Sequence, residues 1–129
     1  MRSEFIVVTV GLLASSLAAG IAVAQKTPEV MVQATRLVET NTARSPSGVP
    51  ISNISLAYGV NYSDLDLASH AGALELEKRV SNAALAACKE ISRQYPEALP
   101  KEPECAKAAT DKALVKVHEL EAAAATKPR

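Results

Sequence analysis

The residues in this chain that could do chemistry are few. Two cysteines, Cys88 and Cys105, could form a disulfide, act as a redox dithiol or contribute to a metal site. Asp64 and Asp66 flank Leu65 and could share a cation, and the two histidines are His70 and His118. Each set predicts a different activity. Redox-active dithiols usually sit two residues apart at an exposed helix N-terminus, where the thiolate is stabilised, and these cysteines are far more widely spaced. A metal centre needs further ligands beside two thiolates, and the histidines fall near the far ends of the elements that carry the cysteines.

The aspartate pair lacks the glycine and distal glutamate of a calcium loop. The reading for Asp64 and Asp66 is that their carboxylates bond to local backbone N–H groups and favour the start of the helix that follows, with Leu65 and Leu67 turned inward. His70 reads as a solvent-facing residue of a first helical turn, and His118 as a surface residue beside Val117. No motif places a serine or cysteine nucleophile with either histidine. There is no phosphate-binding glycine loop, nucleophile elbow or metalloprotease helix motif. These absences weigh against an enzyme, and no cofactor is implied.

The elements that position these residues follow from periodicity. Glu29 to Val38 begins as an alternation with Val30 and Val32 on one side, which predicts a short strand over about 30–38. Asn41 to Pro50 is rich in turn formers and predicts a loop. Ile54, Leu56, Tyr58, Val60 and Tyr62 then alternate with smaller residues, a second strand over about 53–62 with one buried face. At Ser69, a candidate N-cap, the period changes to that of a helix, with Ala73, Leu76, Val80, Ala84, Ala87, Ile91 and Tyr95 in one stripe. Glu75 and Arg79 are spaced to pair on its outer side.

Pro96 ends this helix, predicted over about 70–94. Pro103 suits the first turn of a second, over about 103–125, whose stripe is Cys105, Ala109, Ala113, Val117, Leu120 and Ala124. The predicted fold is α+β, two N-terminal strands packed on an αα-hairpin, because a two-stranded sheet is marginal alone and needs the helices to cover it. Cys88 and Cys105 both fall on inward stripes and face the seam between the helices, so a disulfide is the expected state, contributing about 3 kcal/mol by loop-closure entropy.

Composition sets the context. The chain has 129 residues and a formal net charge of zero, with charges interspersed rather than clustered. One domain is expected, with no basic stripe for nucleic acid. Residues 1–24 have the layout of a secretory signal peptide: a positive start with Arg2, an apolar run from Phe5 to Val23, and Ala22-Val23-Ala24 before Gln25. Cleavage is expected between Ala24 and Gln25, leaving a single mature domain over 25–129. The alternative, a retained anchor, is disfavoured by the small residues at the end of the run and by the lack of a basic flank. No second apolar span follows, so no membrane span is expected after cleavage. The mature chain retains only Tyr58, Tyr62 and Tyr95 as aromatics, so its core must be aliphatic and alanine-rich, the kind that gains most from a cross-link.

RSPSGVPI at 44–51, VNYSDLDL at 60–67, the Ala71-Gly72 pair, LEKRV at 76–80, Cys88, Tyr95-Pro96 and Cys105 together resemble the UrcA family of small exported bacterial proteins. Its motif residues here are Tyr62, Asp64, Leu65, Asp66 and Leu67. The resemblance implies a periplasmic or secreted location and carries no catalytic or binding role. The expected function is a non-enzymatic module that binds a partner protein or itself. The alternatives are a small-ligand or divalent-ion binder at Asp64 and Asp66, and a cysteine-based redox protein.

Overall fold

A computed structural model describes residues 27–39 and 51–127. The expected leader, its expected cleavage site at Ala24 and Gln25, and the loop predicted at 41–50 lie outside the described residues. Strand β1 (Glu29–Glu39) pairs antiparallel with β2 (Ile51–Asn61), in a register that sets Val30 opposite Val60 and Arg36 opposite Ile54. Because side chains alternate across a strand, the even-numbered residues share one face. On β1 this face carries Val30, Val32, Ala34 and Arg36, all buried. β2 adds Val60, with Ile54 and Leu56 half-buried beside them.

Two helices of equal length cover that face. Helix α1 (His70–Gln94) starts where Ser69 leaves an extended conformation and its Oγ accepts the Gly72 N–H at 3.0 Å. Gly72 is buried there, and a Cβ on it would stand 2.1 Å from the Asp66 carbonyl oxygen, so only glycine allows the connector to lie this close to the first turn. The helix stops at Tyr95, whose N–H bonds Ile91 O at 2.8 Å before Pro96. Helix α2 (Glu102–Thr126) opens with Pro103 in its first turn and has Glu102 and Glu104 at its positive end.

Between the two helices, Leu76, Val80, Ala84, Ala87 and Ile91 of α1 meet Ala109, Ala113 and Val117 of α2. The small side chains let the helices approach closely, at the cost of burying little area per residue. Tyr58 and Tyr95, expected in the buried stripes, are both more than a third exposed. Tyr95 is the C-cap residue, so its backbone has already left the helix and its side chain leaves the stripe. In the α1–α2 connector, Leu99 exchanges two backbone hydrogen bonds with Leu37, at 2.6 and 2.9 Å, forming a one-residue bridge on the outer edge of β1. The Leu99–Pro100 peptide is cis. The result is the α+β arrangement of strand, strand, helix, helix that the periodicity predicts, with each element within two residues of its expected bounds.

Candidate functional site

The segment joining β2 to α1 carries the motif residues Tyr62 to Leu67, and its own side chains fold it. Asn61 Oδ1 accepts from both the backbone N–H and the hydroxyl of Ser63, at 2.8 and 2.7 Å. Asp66 Oδ1 accepts the Ala68 N–H at 3.0 Å, and the Asp66 carbonyl accepts the Ser69 hydroxyl at 2.7 Å. Tyr62, Leu65 and Leu67 are half-buried against the core. These leucines pin the connector while the polar residues between them shape it.

Asp66 thus bonds to backbone as expected, and Asp64, which also bonds its own backbone N–H, adds an ion pair to it. Its carboxylate takes a two-pronged contact from Arg79, Nη1 to Oδ1 at 2.8 Å and Nη2 to Oδ2 at 2.7 Å. Arg79 also donates through Nε to Glu75 at 3.1 Å and through Nη1 to the Asn61 carbonyl at 3.2 Å. The planar fork of arginine matches a carboxylate in this way, and it adds to the hydrogen bond from the Asp64 backbone N–H. The Arg79 hydrogen bond holds the Asp64 carboxyl below its ordinary pKa, and the Asp64 and Glu75 hydrogen bonds raise that of Arg79. A cation bound between Asp64 and Asp66 would have to break this pair, and the two carboxylates are committed to different partners.

The cysteines meet as expected. Cys88 on α1 and Cys105 on α2 form a disulfide, with S–S 2.05 Å and Cα atoms 6.0 Å apart, and no described cysteine is free. Both are buried in the helix seam. A buried bond offers no sulfur to an incoming thiolate, which thiol exchange requires. The geometry is that of a structural cross-link.

The functional-looking residue that the sequence reading passed over is Arg36. It is 1% exposed, and no carboxylate faces it among the described residues. Its guanidinium donates instead to neutral oxygens: Nη1 to the Ser92 hydroxyl and, at 3.4 Å, to the Cys88 carbonyl, and Nη2 to the Ala98 carbonyl. Nε finds no partner. The acceptors lie in the last turns of α1 and just beyond it, where helix carbonyls carry partial negative charge. A buried cation without a counter-ion is costly, so this contact fixes β1 against the end of α1 and the connector. The continuing even-residue alternation, Val30, Val32, Ala34, Arg36, was the sequence signal available for it.

His70 is exposed in the first turn of α1. His118 is exposed as expected, but it is not alone: its Nε2 lies 3.5 Å from Glu77 Oε1 on α1, because antiparallel packing brings the end of α2 beside the start of α1. Hollows among the described residues include one of about 110 Å³ between Ile54, Leu56, Ile91 and Tyr95, and another of about 120 Å³ between Thr35, Cys105 and Lys112. Both fall below the roughly 300 Å³ at which small-molecule sites begin. No described helix is long and apolar enough to cross a membrane.

The sheet edge is a further feature. Leu37 aims its main chain away from β2, at Leu99, so the odd-numbered pairs of this ladder are those whose N–H and C=O point outward. On β2 these are Ile51, Asn53, Ser55, Ala57, Gly59 and Asn61, of which Asn61 already gives its carbonyl to Arg79, and among the described residues no strand lies beyond them. Comparison with protein-family models, curated proteins and solved structures finds no match to the chain.

Proposed function

We propose that the chain is an exported, non-enzymatic protein-interaction module of the UrcA type, and that it pairs with a second copy of itself through the edge of β2 at residues 53–59, beyond which no described strand lies. The observation that carries this reading is the character of that edge. Natural edge strands are usually blunted by lysine, proline or a bulge, yet Ile51–Asn61 contains no charged residue and no proline, and it pairs without interruption along its whole length with β1. An uncharged strand can lie antiparallel to its own copy without like-charge repulsion, and a two-fold axis there is self-complementary. Such pairing makes a four-stranded sheet from two marginal ones. The lack of a catalytic motif in the sequence agrees with this reading.

Export is supported by the leader at 1–24 and by a disulfide of the kind that persists in oxidising compartments. Intact-mass analysis of envelope fractions tests it. A chain beginning at Gln25, alkylated only after reduction, is expected; a full-length chain with free thiols refutes it.

Size-exclusion chromatography with light scattering tests the pairing. A dimer is expected for the mature chain, and monomers for Ala57→Pro, which removes an outward N–H without deleting a ladder bond to β1 but also restrains the strand backbone, and Ala57→Lys, which sets like charges face to face near the axis and leaves the backbone free. A wild-type monomer at the highest soluble concentration, or a dimer that neither substitution weakens, refutes it.

A further inference from the structure

We propose that Glu77, His118 and Glu121 form a binding site for a transition-metal dication, with Zn²⁺ as the best match, across the end of the helix pair opposite the disulfide. Glu77 comes from α1; His118 and Glu121, three residues apart, share one side of α2. Each offers one ligand atom, and all three atoms lie within 4.8 Å of one another. A tetrahedral zinc site sets its ligand atoms about 3.3 Å apart. His118 and Glu77, with side chains 60% and 37% exposed, have the rotational freedom to close that difference.

Two further observations point to a cation. Glu121 Oε1 is shut off from solvent and has no hydrogen-bond partner, which is costly for a carboxylate oxygen. Elsewhere on these helices Glu75, Glu90, Asp111 and Glu119 each take an arginine or lysine, while Glu102 and Glu104, exposed or half-exposed in the first turn of α2, take none among the described residues. Among the described residues, Glu77 has only His118 and Glu121 has none. A divalent ion among the three groups neutralises both carboxylates together.

The donor set selects the metal. One imidazole nitrogen with two carboxylates suits zinc and its neighbours, whereas calcium and magnesium prefer all-oxygen shells with more ligands. Three protein ligands on an accessible surface leave the fourth position to water. At 1.5 Å per residue, Glu77 lies about 16 Å before Cys88 along α1, and His118 about 20 Å beyond Cys105 along α2. The hairpin is thereby clamped covalently at the connector end and by metal at its open end. The inference is independent of the pairing of β2 edges.

Calorimetric titration of ZnCl₂ into the oxidised, tag-free chain, with thermal melts monitored by circular dichroism, tests it. One Zn²⁺ per chain is expected. At free metal a hundredfold above Kd the unfolding midpoint should rise by about 10–20 °C. Both effects should vanish in His118→Asn and Glu121→Gln and persist in His70→Asn. Mg²⁺ and Ca²⁺ should produce neither. The metal-free melts of the variants report whether the fold is intact, and Glu77→Gln replaces any variant that fails this check. No zinc heat with the wild type, equal heats in wild type and variants, or half an ion per chain from bridging of two copies would each overturn the proposal.

Discussion

Replacing Cys88 and Cys105 together by alanine removes a cross-link between residues 17 positions apart in sequence. The chain-entropy relation for a loop of that length gives about 3 kcal/mol of stabilisation at 25 °C, acting by restricting the unfolded chain. Domains of this size are commonly stable by only 5–15 kcal/mol, so the loss is a large fraction of the total. In a thermal melt it corresponds to a fall in midpoint of about 12–25 °C. Urea titration of three samples separates the causes: the oxidised chain, the same chain with reductant, and the double-alanine variant. The reduced wild type keeps both sulfurs in the seam, so its deficit is that of the cross-link alone. The variant adds the small gap left by two buried sulfur atoms. Both should show a larger dependence on urea than the oxidised chain, because the uncross-linked unfolded state exposes more surface. Midpoints of all three samples within about 2 °C would refute the argument. The alanine-rich seam would then hold the helices without covalent help.

Gly72→Ala should destabilise the domain by about 1–3 kcal/mol, an overpacking cost, because the new Cβ meets the Asp66 backbone rather than a movable side chain. Alanine is the better helix former by about 1 kcal/mol, so an unchanged or raised midpoint would show that the connector yields. Asp64→Asn tests the contact with Arg79 through acid unfolding. Since the folded-state pKa of Asp64 lies below its unfolded value, the contribution is fully present above about pH 5 and is lost as pH falls through the folded value. The wild type should therefore lose stability more steeply than the variant below about pH 4, and parallel acid limbs would refute the assignment.

The elements were legible because their signals are local. Ser69 and Pro96 bracket α1 within a few residues of its ends, and the alternation from Ile54 marks β2 directly. The disulfide followed from two inward stripes and needed no long-range knowledge. What escaped the sequence was set by contacts across the fold. The acceptors of Arg36 lie 52 to 62 residues away, so nothing near residue 36 distinguishes it from an exposed arginine. Asp64 and Arg79 are 15 residues apart, on a loop and a helix whose relative placement Gly72 decides. His118 stood near a helix end with no visible neighbour until the antiparallel turn of the chain brought Glu77 to it.

Arg36 also determines what a shortened chain would do. On β1 the face opposite the core carries Met31 and Leu37, both largely exposed, so a slip of one residue past β2 would still present apolar side chains inward. Such a slip would also turn the guanidinium to solvent, where it needs no partner. The correct alignment wins through oxygens at residues 88, 92 and 98, on the opposite side of the molecule's sequence. A fragment ending before Cys88, as from interrupted synthesis, keeps both strands and loses the arbiter between their alignments. Mispaired hairpins with an uncharged, unguarded β2 are the species such truncation should release.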